Sequence, residues 1–299
     1  MFYLLSFAAS TIPGSMCLGY GLSNGHQNLV IVVDGRRLNN IDNGPQLLSS
    51  IPIQSIAKIE ILKGAGSVEF GDGANAGVIS ITTKDFNGVE FNAYTGSFDT
   101  DYASLGLGYA NDLLSISAFG DYYETDGQRN LQTTSDKKDA SRSKNGNFNL
   151  KLYPSEGLEI RAGWAATRIS TTYANSLTLA QYKENPSQAG SGFTEQTLDS
   201  DLFSLGVDYD ITDEFNIDIN LFTEDKTSIY PAFSSKYEYD YNSAEAKLRY
   251  NKNSLKVVTG FFAFNGERKA SNNTTSKDNL AAYVKTDYKI DSHSFSAGV

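Results

Sequence analysis

From residue 89 onward the chain alternates apolar and polar residues, segment after segment, at the two-residue period of a β-strand. In residues 215–223, Phe215, Ile217, Ile219 and Leu221 share one face, Asn216, Asp218 and Asn220 the other, and Phe222 is the exception. Leu114, Ile116 and Ala118 oppose Ser115 and Ser117; Phe148, Leu150 and Leu152 oppose Asn147, Asn149 and Lys151. In residues 202–211, Phe203, Leu205, Val207, Tyr209 and Ile211 oppose Ser204, Gly206 and Asp208. Such a pattern commits each segment to a sheet with two unlike faces. About ten or eleven segments of this kind follow one another, each long enough to cross a bilayer as a tilted strand.

A soluble sandwich also alternates, so the connections have to discriminate. Turn residues at 111–112, 154–157, 212–213, 251–253 and 291–292 predict short turns. Between them, polar stretches at 128–144, 170–196, 231–236 and 268–277 predict long loops, and only the connection near 99–101 breaks the rhythm. Up-and-down membrane barrels have short turns at one end and longer loops at the other. A Greek-key sandwich has no reason to keep that order. The expected fold is therefore all-β, dominated by an antiparallel up-and-down transmembrane β-barrel. A mean hydropathy of −0.35 fits, since barrel strands average lipid-facing and lumen-facing residues. No run approaches the roughly 18 apolar residues of a spanning helix, which excludes a helical membrane protein.

Residues 1–88 read differently. The run 28–34 (NLVIVVD) has buried-strand length and ends at Asp34-Gly35. Residues 56–62 (IAKIEIL) place Ile56, Lys58 and Glu60 against Ala57, Ile59 and Ile61, and residues 78–83 (VISITT) are β-branched and alternating. A glycine-dense loop spans 64–77, and residues 45–52 suit a short helix stopped by Pro52. This is a small mixed α/β unit. Of 18 tyrosines only Tyr3 and Tyr20 precede residue 89, and Trp164 is the single tryptophan. Trp164 and the strand-end residues Tyr122, Tyr153, Tyr209 and Tyr250 are expected at the membrane–water interface.

Several functions fall away. An acidic chain of net charge −10 and pI near 4.7 lacks the basic face of a general nucleic-acid binder. Cys17 has no partner for an internal disulfide, and His26 and His293 make neither a zinc set nor a supported nucleophile–base pair, so no catalytic or metal residue and no cofactor is expected. In the loop holding Gly64, Gly66, Gly71, Gly73 and Gly77 a phosphate-cradle spacing fails, because Glu69 stands where the third glycine belongs. Residues 1–9 (MFYLLSFAA) carry the apolar core of a signal peptide without a preceding Lys or Arg.

Three blocks in order resemble the plug of TonB-dependent outer-membrane receptors: residues 29–40 (LVIVVDGRRLNN), 51–64 (IPIQSIAKIEILKG) and 70–84 (FGDGANAGVISITTK). The likeness covers residues 18–299. It implies an unassigned leader at 1–17, the back of a plug domain at 18–88 and the first part of a transmembrane barrel at 89–299. Two departures stand out: Leu18 replaces an expected arginine, and residues 1–17 match nothing in the family. The expectation is a receptor fragment, without the TonB box at the front of the plug and with about half of the ~22 strands that enclose a plug. Such a fragment is expected to be inactive alone; a disrupted reading frame is the favoured origin, and a sequence cut from a longer chain is the alternative.

The resemblance implies import of a scarce nutrient across the bacterial outer membrane, most readily a ferric siderophore, with TonB and outer-membrane lipid as partners. The loop 36–44 is then the expected ligand contact. Arg36 and Arg37 suit the oxygens of an anionic chelate, and Asn39, Asn40 and Asn43 add hydrogen bonds; a plain turn with two exposed arginines is an equal reading. Glu60 and Lys63 are expected to pair with the barrel wall. A passive porin-like channel and a soluble extracellular adhesin are the alternatives.

Overall fold

The computed structural model describes residues 28–42, 48–63, 68–71, 73–131, 137–175, 177–186, 188, 192–290 and 293–299. Two sheets account for nearly all of them. The first has the order β2-β1-β4-β3, with β1 Leu29–Val33, β2 Arg36–Arg37, β3 Ile56–Lys63 and β4 Gly77–Thr83. β1 runs parallel to β4, and β3 and β2 are antiparallel to their neighbours. The apolar run predicted as a buried strand is β1, and it is the centre of this unit. Val30, Val32, Ala74 and Val78 pack on one side of it; Ile31, Leu38, Ile51 and Ile81 pack on the other. Asp34 and Gly35, at φ 48° and 84°, make the two-residue reversal into β2, a conformation that favours Gly and Asp. Within residues 45–52 the described part is not an α-helix but a 3-10 turn at Leu48–Ser50, followed after Pro52 by another at Ile53–Ser55.

The second sheet has eleven antiparallel strands in chain order: β5 Gly88–Gly96, β6 Thr100–Ala110, β7 Leu114–Thr125, β8 Ser141–Ser155, β9 Leu158–Ala174, β10 Phe193–Asp210, β11 Phe215–Tyr230, β12 Ser235–Lys252, β13 Leu255–Ala270, β14 Asn273–Ile290 and β15 His293–Gly298. It is an unclosed, up-and-down barrel wall. Among the described residues no helix is long and apolar enough to cross a membrane.

The two faces of the wall sort as the alternation requires. Val89, Phe91, Leu105, Leu107, Phe203, Leu205, Leu221 and Leu280 are exposed on the convex side. On β12 the outward residues Tyr250, Leu248, Ala246 and Ala244 give way to Asn242, Asp240 and Glu238. The apolar part spans about 20 Å along the strand, near the height of an outer-membrane hydrocarbon band. Registered neighbours change at the same level, with Ala263 beside Ala244 and Asn265 beside Asn242.

That transition corrects two of the predicted long loops. Residues 231–236 hold a 3-10 turn at Pro231–Phe233, with β12 already begun at Ser235. Residues 268–277 hold the end of β13, a two-residue turn and the start of β14. The strands continue beyond the apolar band, where both faces meet polar surroundings. Alternation of hydrophobicity fades there although the hydrogen-bond ladder does not, and a polar strand reads as a loop. The longer connections at this end are 126–140 and 175–192, the second carrying helix α1 Leu179–Glu184, whose capping box joins Thr178 and Gln181.

Interface anchors divide similarly. Trp164 stands in register between Phe148 and Phe203, an outward aromatic row at one edge of the apolar band. Tyr209 lies near the other edge, and Tyr250 there packs on Phe215 with ring centroids 4.7 Å apart. Tyr122 sits above the band beside Lys144. Tyr153 lines a cleft by the short turns with Glu159 and Asp208.

Candidate functional site

The small sheet sits against the concave face of the wall, and β2 with the segment after it makes the closest ties. Arg36 Nη1 lies 2.7 Å from Glu224 Oε2 on β11. Glu224 also accepts from Ser200 Oγ at 2.8 Å and has Lys226 Nζ at 3.3 Å. The side chains of Glu224 and Lys226 are only 5% and 6% exposed, and Arg36 14%. Buried charges of this kind persist only when paired and hydrogen-bonded.

The next residues continue the seam. Lys226 Nζ donates to Asn40 Oδ1 at 3.3 Å and stands 5.1 Å from the centre of the Tyr241 ring. The Ile41 amide donates to Tyr241 Oη at 3.2 Å. Asp42 receives the Tyr239 hydroxyl at 3.1 Å and has Arg268 Nε at 2.8 Å, without the N–H of that atom being aimed along the contact. Arg268 stacks over Tyr237, 4.3 Å from its centre. Tyr237, Tyr239 and Tyr241 reach one face because they are spaced by two on β12.

Elsewhere the contacts are sparser. Tyr102 Oη donates to Gln54 Oε1 at 2.6 Å, Asn145 Nδ2 reaches the Ser49 carbonyl at 3.4 Å, and Glu69 pairs with Lys247 at 3.3 Å. Where the chain passes from the small sheet into β5, Phe86 lies buried on β6 and stacks on Phe119 with centroids 5.5 Å apart. A Cβ at Gly106 or Gly108 would collide with Phe86, so these glycines form the notch that receives it.

Between the sheets lies a cavity of about 160 Å³ lined by Arg36, Leu38, Ile51, Asn145, Gln196 and Phe222 among others. Arg36 Nε, Asn145 Oδ1 and Gln196 Oε1 are buried there without a hydrogen-bond partner, which favours a polar over an apolar occupant. A second space of about 230 Å³ is bordered by Arg37, Asn39, Tyr241, Phe264 and Tyr283.

The structure thus redistributes the residues singled out in the sequence. Arg36 and Asn40 face the wall and tie the small sheet to it. Asn39 is internal: its Nδ2 donates to the Leu29 carbonyl at 2.8 Å and its Oδ1 accepts from the Ile31 amide at 2.9 Å. Arg37 is half-buried beside the larger space. Asn43 lies outside the described residues, as do Gly64 and Gly66. Glu60 pairs at 2.8 Å with Lys58 of its own strand, both more than half exposed. Lys63 ends β3 in register with Gly77. Among the described residues, contacts to the wall on this side are made by Arg36, Asn40 and Asp42.

Comparison with known proteins fits this arrangement. Residues 19–78 match the family model described as TonB-dependent Receptor Plug Domain. The chain has the plug and barrel fold of a TonB-dependent receptor. Ferric citrate transporter FecA, in its unliganded form, superposes with a TM-score of 0.72 at 15% identity, over 96% of this chain and 48% of that one. The siderophore receptor PirA from Pseudomonas aeruginosa gives 0.70 at 15%, over 98% and 52%. Copper transporter OprC gives 0.70 at 14%, over 87% and 45%. The chain therefore spans about half the length of the solved receptors it matches, and at these identities what is shared is the fold. In its terms the small sheet is the plug, the concave face is the lumen wall, and the Arg36–Asp42 segment is the plug loop that meets the wall.

Proposed function

We propose that this chain forms the plug and adjoining wall of an outer-membrane importer for a metal chelate, most readily a ferric siderophore. Residues 18–88 serve as the back of the plug and 89–299 as the first part of the barrel. The observation that carries the reading is the seating of the plug loop on the lumen wall through Arg36–Glu224, Asn40–Lys226 and Asp42–Arg268. A passive channel has no use for a folded domain tied across its lumen. An adhesin has no use for an apolar convex band. The chemistry is capture and passage rather than bond-making. TonB supplies the work that shifts the plug, and Arg37 with the tyrosines of β12 offers guanidinium, hydroxyl and ring surface to a chelate on the loop side.

The test is equilibrium binding of ferric siderophores, haem and cobalamin to the detergent-solubilised receptor containing these residues, alongside conductance in planar bilayers. Saturable binding of a ferric chelate with no open-pore current supports an importer. Steady porin-like current without ligand binding overturns it.

A further inference from the structure

We infer that the lumen wall carries a site for a monovalent metal cation of sodium size, built by Ser104, Asp121 and Asn145 against the plug segment 48–55. The three residues form one row across β6, β7 and β8, with Ser104 directly opposite Asp121 and Asp121 directly opposite Asn145. Side chains paired in this way stand about 4.5–5.5 Å apart at Cβ, close enough to share one ion. They face the plug. Ser104 and Asn145 are only 3% and 9% exposed, and Asn145 Nδ2 lies 3.4 Å from the Ser49 carbonyl, which leaves Oδ1 as the open end of that amide. Each residue holds an oxygen that nothing meets: Ser104 Oγ, Asp121 Oδ1 and Asn145 Oδ1 are all buried without a hydrogen-bond partner. Adjoining buried acceptors of this kind are costly unless something positive lies among them.

The chain itself supplies no counter-charge. All 25 Lys and Arg residues lie within the described residues, and Asp121 pairs with none of them. Lys84 is held by both oxygens of Glu90 at 2.9 Å, and Lys226, in the same lumen row but four strands away, is held by Glu224. What otherwise faces Asp121 is neutral: Asn145, through its side chain and main chain, and the hydroxyls of Tyr94 and Tyr102. A buried carboxylate needs a balancing charge. One carboxylate balances one positive charge, and a divalent ion would leave a buried unit over, so the charge count selects a monovalent ion. Carboxylate, amide oxygen and hydroxyl are hard donors, the kind that alkali and alkaline-earth ions take. Water suits the place less well. The three oxygens are closed to a sphere of its size, whereas a bare hard cation as large as calcium or sodium approaches oxygen to about 2.3–2.6 Å. Because Ser49 of the plug orients Asn145, the ion binds the seated plug and strengthens its seating.

Limited proteolysis of the plug reads the site, in the detergent-solubilised receptor containing these residues, with sodium chloride or choline chloride at equal ionic strength. The expected result is cleavage about tenfold slower in sodium, as for an ion present at about ten times its Kd that binds only the seated plug. The difference should vanish in D121N, with unheated gel migration of the barrel confirming that the variant is folded. S104A, a milder change, should need several-fold more sodium for the same protection. Equal cleavage in the two salts overturns the proposal, and is the outcome if Asp121 is simply neutral. A sodium effect that D121N retains, or that S104A leaves unshifted, overturns it too. Protection by millimolar calcium chloride that sodium chloride cannot match would make the site divalent and overturn the monovalent assignment.

Discussion

Arg36 of the plug and Glu224 of the barrel wall meet at 2.7 Å, although 188 residues separate them, and Lys226 shares the same carboxylate. One acid thereby serves two buried cations. The arrangement makes Glu224 the member whose loss is costliest, because its removal leaves two like charges facing each other away from water.

Glu224→Gln is therefore expected to loosen the plug more than Arg36→Gln does. Breaking a buried pair by removing one partner costs about 3–5 kcal/mol. Arg36→Gln still leaves Glu224 balanced by Lys226 and Ser200. Limited proteolysis of the plug in detergent, followed against urea, measures the difference. Equal midpoints for the two variants would show that the carboxylate is not shared.

A steric lock closes the other end of the plug. Adding a methyl at Gly106 pushes into the Phe86 ring, and the predicted destabilisation is about 1–3 kcal/mol, typical of overpacking. In a Phe86→Ala background the same Gly106→Ala change should cost far less. Denaturation midpoints of the four variants give the coupling. Strict additivity would mean that the ring is not held in the notch.

The apolar band on the convex face makes a positional prediction. Ala246→Arg places a charge within it and should cost about 2–4 kcal/mol in folding into bilayers. Asp240→Arg, six residues along the same face of β12, lies above the band and should change the same measurement by under about 1 kcal/mol. Similar costs at both positions would erase the boundary.

That boundary also explains what was legible beforehand. The strands of the wall and the central strand of the plug could be read because burial forces alternation, or a continuous apolar run, upon them. The upper ends of β12 to β14 could not, because beyond the apolar band neither face has to be apolar. The site was only half visible for a related reason. Phe222 breaks the alternation of β11 because the plug fills the lumen beside it, and Glu224 and Lys226 follow on the same face. Their partners lie nearly two hundred residues away, and local pattern carries no information on that pairing. The β12 tyrosines at 237, 239 and 241 were the available signal for a built lumen surface.

Asn39 illustrates how a residue type suited to ligand contact is spent on the scaffold. Its amide donates to the carbonyl of Leu29 and accepts from the amide of Ile31, bridging the edge of β1 beyond the end of β2. Asn39→Ala leaves both main-chain groups unpaired, and an unsatisfied buried group costs about 1–3 kcal/mol. The variant should lower plug stability and accelerate amide exchange at Ile31. Its effect on chelate affinity should be no larger than that of an Ile51→Val change tuned to give the same loss of stability. Arg37 borders the larger space, and Arg37→Gln should reduce affinity for an anionic chelate about tenfold, beyond what its own change in denaturation midpoint accounts for. Measuring binding and urea midpoint together on both variants separates the two roles, and loss of affinity in Asn39→Ala beyond its stability-matched control would return Asn39 to the ligand surface.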